Sequence, residues 1–313
     1  FGQLATPWSS NLPATHQTHR ECRVVRSCTR ATWALIVLVC GLYVGCGNGL
    51  ADVHAAGSQR LRAAGGVDVD FVRWDLRTPP DVLFMTPERR NHLAEIGADA
   101  ATAVKHHDVK IAANGDVTQT TTMVVSVLSR AGVENYGNYS FRINAHTSIT
   151  RIVAAHVRQL DGKLVPVLAD SIQIRTADDG NIFSTAFEVV VPFARVRVGS
   201  SLVLVTESEF SAAKTSVPWS AVLTGPLALH VDDFKVHVSW AAGALEPRVE
   251  SNVLAMRCEP SGPRARTCAT TTLSPLEERH SAMSILDVLP LVAISTNREW
   301  SDLARTVAGF TMD

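Results

Sequence analysis

The feature that most constrains this chain is a period of two. Phe234, Val236, Val238 and Trp240 alternate with Lys235, His237 and Ser239, a pattern that buries one face of a strand and wets the other. Turn dipeptides repeat between such runs. Asn114-Gly115-Asp116 separates 108–113 from 117–129, and Asn-Gly adopts the positive φ values that a two-residue hairpin turn demands. Asp161-Gly162 divides 152–160 from 164–167, and Asp179-Gly180 stands between 172–174 and 187–191. A further strand opens at 202–210. Many short strands, turns between them and few helices predict a mainly all-β fold, an antiparallel β-sandwich over 106–296.

Ahead of it, 57–105 reads as linker and helix. Thr86 can cap a helix over 86–104, Pro87 suits its first turn, and Leu93, Ile96, Ala100 and Val104 fall at helical spacing. A C-terminal helical tail is expected at 300–308. No fixed repeat of 20 to 50 residues runs through the sequence, which disfavours solenoids and propellers.

The N-terminal region, 1–56, reads as an export signal or membrane anchor preceded by an uninformative extension. Because Met85 is the first methionine, Phe1 is not expected to be a natural start. Arg20, Arg23, Arg26 and Arg30 lead into the uncharged run from Ala31 to Cys46, and small residues follow at 49–51 and 53–55. That is the layout of a cleaved secretory signal. Two alternatives remain: an uncleaved anchor over Ala31 to Ala51, 21 residues long, or acylation of Cys46 after Leu42-Tyr43-Val44-Gly45, although Tyr43 stands where such boxes carry Leu. Each places the protein outside the cytoplasm, in the periplasm or cell envelope, with any membrane contact made through this segment.

Charge narrows the partners. The chain carries −1 overall, and without its first fifty residues the body is mildly acidic with no Lys/Arg stripe, so nucleic acid is not an expected partner. Four of the six cysteines, Cys22, Cys28, Cys40 and Cys46, lie in the signal. Cys258 and Cys268 remain in the body, with Pro260, Gly262 and Pro263 between them. They are expected to bridge across a hairpin, the alternative being two buried free thiols.

Catalytic signatures are sparse. There is no Gly-x-Ser-x-Gly elbow, no phosphate loop ending in Gly-Lys-Ser/Thr, no His-Glu-x-x-His and no paired Cys-x-x-Cys. His106-His107, and likewise His230 and His237, would point to opposite faces of one strand and cannot chelate, so they read as surface histidines. Cys258, His280 and Asp287 occur in the order of a thiol triad, but order alone is cheap in a chain with 11 His. Asp178-Asp179 and Asp232-Asp233 lack calcium-loop spacing and read as solvated turn or edge charges. No cofactor, metal or catalytic residue is expected.

The order of short motifs resembles the uncharacterised domain family that lies immediately upstream of transglutaminase-like domains in exported bacterial proteins. The matching features are Asn114-Gly115-Asp116; Val127-Leu128 with Gly132 and Tyr136; Ala154 to Arg158 with Asp161-Gly162; Phe183-Ser184, Pro192 and Val198-Gly199-Ser200; and Ile294-Ser295-Thr296 with Glu299-Trp300. The resemblance implies a β-sandwich accessory domain that is not itself an enzyme, with 297–313 beginning a connection to a downstream papain-like unit. That unit's Cys, His and Asp would carry the chemistry, and no residue of this sequence can inherit those roles. The expected functions are therefore a non-catalytic interaction module, the N-terminal fragment of a transglutaminase-like cysteine protease or amidase, or a stand-alone envelope binding or structural domain. Its partners would be a transglutaminase-like domain or extended peptides taken up by strand addition.

Overall fold

The structure, a computed structural model, describes residues 59–62, 68–74, 82–145, 147–176, 186–214, 219–225, 229–252, 256–275 and 291–296. The N-terminal signal with Cys46, the expected C-terminal helix, Asp178-Asp179, Gly180, His280 and Asp287 lie outside the described residues.

Sixteen strands and two α-helices follow one another along the described chain. They are β1 (Gln59–Arg62), β2 (Asp68–Trp74), α1 (Pro87–Glu95), β3 (Ala100–Ile111), β4 (Val117–Val127), α2 (Arg130–Tyr136), β5 (Asn138–Asn144) and β6 (Ser148–Arg158). Then come β7 (Leu164–Pro166), β8 (Gln173–Thr176), β9 (Ala186–Pro192), β10 (Ser201–Phe210), β11 (Ser220–Thr224), β12 (His230–Trp240), β13 (Arg248–Ser251), β14 (Cys258–Gly262), β15 (Ala265–Leu273) and β16 (Leu291–Ser295).

Ten strands make one large sheet in the order β1-β2-β6-β10-β4-β3-β12-β15-β14, with β7 also paired to β6. Two three-stranded sheets, β5-β9-β8 and β11-β16-β13, accompany it. The fold is mainly β, as the alternation predicts, but the large sheet is mixed rather than antiparallel. β12 runs parallel to β3, and β2 runs parallel to β6. The sheet also begins before residue 106, since β1, β2 and the start of β3 belong to it.

Packing explains which segments alternate and which do not. On one face, Met123, Val125 and Val127 of β4, Ile152 of β6 and Leu202 and Leu204 of β10 form a core with Ile143, Ile174, Val189 and Val191 of the β5-β9-β8 sheet. Farther along the large sheet, Val109, Val117, Phe234, Val236, Val238 and Cys268 pack with Leu223, Val249, Val292 and Ile294 of the β11-β16-β13 sheet. On the other face, Leu93 of α1 and Met85 cover Ala101, Ala103, Val104, Val124, Ala154, Val203 and Val205. Where both faces are covered, burial is continuous: Ala100–Val104, Met123–Val127 and Ser201–Val205 are buried at every position. A strand buried on both sides has no reason to alternate.

This continuity corrects the helix read over 86–104. Thr86 does cap α1, its Oγ accepting from Arg89 N at 3.3 Å, and Pro87 is its first residue. The helix stops at Glu95 because Gly97, at φ +83°, closes it. Gly97 N donates to Ala94 O and Ala98 N to Leu93 O, the paired bonds of a Schellman ending. Ala100 and Val104, which matched helical spacing, are strand residues buried from both sides.

The hairpin β3–β4 forms where Asn114-Gly115 marks it, with a longer connection than two residues. Gly115 N donates to Ala112 O at 3.0 Å and Ala112 N to Asp116 O at 2.8 Å, and only Gly115 takes a positive φ. This is a three-residue loop of turn plus bulge. The Gln159–Lys163 connection repeats it: Gly162 N donates to Gln159 O and Gln159 N to Lys163 O, both at 2.9 Å.

α2 presses on the β3 entry. Leu128 N and Ser129 N both donate to Asp99 O, and a Cβ placed on Gly132 would lie 2.1 Å from that same oxygen. We predict that Gly132→Ala costs about 3 kcal/mol or more, since backbone must shift to admit it. Gly97→Ala, strained only by its φ with nothing within 4 Å of the new carbon, should cost about 1–2 kcal/mol. Urea denaturation of the two variants beside the unmodified chain measures both.

Candidate functional site

A cleft of about 630 Å³ opens at the Ile111 end of β3, the Phe210 end of β10 and the Ser220 end of β11. Its floor is Ile111, Ala112 and Ala113; Phe210 and Trp219 form one wall, Ala244 and Leu245 another, and Asn114, Thr147, Ser211, Ser220 and Thr296 contribute polar rim. The two aromatic rings stand 6.0 Å apart at 57°, a tilted pair.

Hydrogen bonds fix each wall. Asp116 Oδ1 accepts from Ala212 N at 2.8 Å, and its Oδ2 accepts from Asn114 Nδ2 at 2.7 Å. These bonds tie the β3–β4 turn to the residues after β10, and the Ala212 amide followed by the Asn114 side chain holds the Asp116 carboxyl below the usual range. Ala241 N donates to Ile111 O at 2.9 Å, seating the connection after β12. Trp219 O accepts from both the backbone N and the Oγ1 of Thr296, at 3.1 and 3.0 Å. Ser220 Oγ lies 2.8 Å from Ser295 Oγ.

None of the described residues lining this cleft is an acid, a base or a thiol. The described lining suits an uncharged, largely apolar group, and it includes no side chain of the kind that moves a proton at neutral pH or attacks a carbonyl through sulfur. Nothing in the sequence announced it, because its described lining comes from six separated stretches and carries no motif.

A second cavity, about 370 Å³, lies between the β6–β7 connection and the residues before β10. Lys163, Arg195 and Arg197 line it with a single acid, Asp161, and with Leu160 and Val198. Leu160 is 69% and Val198 50% exposed, and Leu164 beside them is 47% exposed. Lys163, Arg195 and Arg197 form no ion pair among the described residues. The sequence shows no basic stripe because these cations come from two separate connections.

The residues weighed for chemistry are dispersed. Cys258 and Cys268 are directly paired across β14 and β15 and are bonded to each other, so Cys258 offers no thiolate. His106 and His107 do point to opposite faces, but only His106 is near the surface, 2.8 Å from Asp233. His107 is a core residue instead: its Nδ1 meets Thr121 Oγ1 at 3.0 Å, its ring stands edge-on to Phe234, and its Nε2 is buried without a partner. His237 Nδ1 is 2.9 Å from Thr267 Oγ1. Asp232 and Asp233 are not turn or edge charges, since β12 is paired on both sides; Asp232 bonds Arg89 at 3.0 Å and Asp233 bonds His106. Among the described residues no group of three His, Cys, Asp or Glu side chains could hold a metal ion.

Burial, then the nearby charges of Lys105 and His106, lower the His107 imidazole to about 3. In the unfolded chain it titrates near its ordinary value of about 6.5. Between these limits the unfolded chain binds a proton that the folded one refuses, so stability is full above the upper limit and falls as pH drops toward the lower one, by up to about 1.4 kcal/mol per pH unit. His107→Asn, which keeps a polar atom near Thr121, should flatten that slope in urea midpoints measured from pH 7 to pH 4. An unchanged slope would show that His107 does not titrate this way.

Residues 113–261 match the family model DUF3857, described as a domain of unknown function with a solved structure. A candidate protease from Parabacteroides distasonis has a similar structure, with a TM-score of 0.55 at 14% identity over 64% of this chain and 40% of that one. An M1 zinc metallopeptidase from Deinococcus radiodurans aligns at a TM-score of 0.31 and 14% identity, over 62% of this chain and 42% of that one; so loose a likeness carries no argument. The chain thus spans less than half the length of either solved structure. No curated protein matches it. At such identity the first likeness concerns fold alone.

Proposed function

We propose that this chain is a non-catalytic accessory module of an exported bacterial protein, one that binds rather than transforms, and that in its parent it precedes a transglutaminase-like domain. The observation that carries this reading is the chemistry of the larger cleft, an apolar recess walled by Phe210 and Trp219 with no titratable side chain among its described lining residues. The bonded state of Cys258 and Cys268 supports it, as does the match of 113–261 to a family without an assigned activity. Hydrolysis or amide transfer in the parent would then belong to a separate papain-like unit, acting as a cysteine protease or amidase.

The test is turnover by the chain itself. Incubated with fluorescein-labelled casein, with peptide anilides and with an amine donor plus a glutamine acceptor, the purified chain should give rates equal to buffer. A rate that scales with protein and disappears on substitution of one of its own residues would overturn the reading.

A second reading, a stand-alone envelope-binding domain, is favoured by one observation: exposed Leu160, Leu164 and Val198 stand beside Lys163, Arg195 and Arg197, three cations against the single acid Asp161 among the described residues of that cavity. Apolar tips among cations suit an anionic lipid surface. On this reading the chain co-sediments with phosphatidylglycerol vesicles and not with phosphatidylcholine vesicles, and Lys163→Glu with Arg197→Glu abolishes the pelleted fraction. Equal pelleting with both lipids, or none with either, would dismiss it.

A further inference from the structure

We infer that β11 is a docking edge for an extended, uncharged peptide strand, and that the adjoining cleft takes one large apolar side chain of that peptide. The inference rests on the accessory, binding role proposed above and names its ligand class.

Edge strands expose unpaired N–H and C=O groups, and folded proteins guard them with charges, prolines or bulges. The described sheets follow this rule at every outer strand but one. β1 contains Arg60 and Arg62, β5 Arg142, β8 Arg175, β13 Arg248 and Glu250, and β14 Glu259 and Pro260. The short β7 contains Pro166. β11, Ser220-Ala221-Val222-Leu223-Thr224, has neither a charge nor a proline. It pairs with β16 through all five residues, in unbroken register from Ser220↔Ser295 to Thr224↔Leu291, and among the described strands nothing pairs with its other side.

The faces of β11 differ. Leu223 is buried in the core beneath, whereas Val222 is 57% exposed. Ser220, Val222 and Thr224 share the outward face by the period of two, so on that face an added strand would meet hydroxyls and one branched apolar side chain. A charged residue set against this edge would gain no ionic partner from it.

The cleft supplies the second, independent element. Ser220, the first residue of β11, is part of its lining, and Trp219 and Phe210 wall it. A peptide laid along β11 therefore reaches the cleft at one end of its pairing, and strand addition uses side-chain pockets of this kind for specificity. The floor of Ile111, Ala112 and Ala113 would bury an aromatic or aliphatic side chain, while a Glu there would lose water, meet no cation among the described lining residues and face the nearby Asp116 carboxylate. A cleft of about 630 Å³ falls within the range of ligand pockets, roughly 300–1,000 Å³.

The probe is the capped heptapeptide acetyl-Ser-Thr-Val-Phe-Val-Thr-Ser-amide, titrated calorimetrically into the full chain, with hydrogen exchange followed across 220–224. Saturable binding with slowed exchange in that segment is expected. Val222→Lys, at an exposed position the fold tolerates, and Trp219→Ala should each weaken binding about tenfold or more, whereas Val222→Thr should stay within about twofold. Replacing the central Phe of the peptide by Glu should have a similar effect to the two damaging substitutions. Leu168→Lys, at an exposed residue after β7, should leave the affinity unchanged, and thermal melts confirm that every variant is folded.

Absence of binding to the unmodified chain would overturn the inference, as would equal affinity for Val222→Lys. So would a concentration-dependent dimer, abolished by Val222→Lys, in place of peptide binding, since the occupant would then be a second copy. None of these outcomes touches the turnover assay. Hydrolysis of the heptapeptide, by contrast, would strike at the accessory role and leave the docking edge standing.

Discussion

Everything in this domain hangs on the three segments Ala100–Val104, Met123–Val127 and Ser201–Val205, adjacent in the large sheet and buried from both sides. A backbone in that position has no access to water, so each of its polar groups must be met within the sheet. β4 satisfies this with β3 on one side and β10 on the other, in a register that runs from Val127 to Val117. Small side chains make the double covering possible. Ala101 and Ala103 let α1 lie close on one face, and Leu93 fills the space they leave.

From this centre outward the sheet loses cover, and β3 regains its alternation over 107–111. β10 is buried over Ser201–Val205 and half-buried over Thr206–Phe210, and β4 grades the same way in the opposite direction. On the less covered stretches polar pairs replace hydrocarbon: Arg151 bonds both Glu207 and Glu209, and His106 bonds Asp233. The cleft lies at this thinner end, where Phe210 and Trp219 are only partly buried. Its position follows from the point at which cover runs out.

That geography explains what was legible in the sequence. Phe234, Val236 and Val238 are buried on one side of their strand, and they showed it by alternating. Asn114-Gly115 and Asp161-Gly162 marked turns because positive φ is a local demand. Ala100–Val104 was misread because covering both faces erases the period of two, and the signal that would have separated helix from strand was Gly97. The parallel pairing of β12 with β3 joins His230 to Ala101 and Trp240 to Ile111, residues too far apart in the chain for any local pattern to link them. His107 looked like a surface residue because nothing in its own neighbourhood records that Phe234 lies against it. The cleft was invisible for the same reason: Ala112, Phe210, Trp219 and Thr296 are ordinary residues until the fold gathers them.

The central strand of the smaller sheet beside the cleft is β16, the last described strand, and Thr296 leaves it with two hydrogen bonds to the carbonyl of Trp219. Those bonds make the aromatic wall a mechanical neighbour of the chain that continues past Thr296. Trp219 thus faces two ways: its ring walls the cleft while its carbonyl fixes the residue at which β16 ends, and the Ser220–Ser295 hydroxyl contact repeats the tie one residue along.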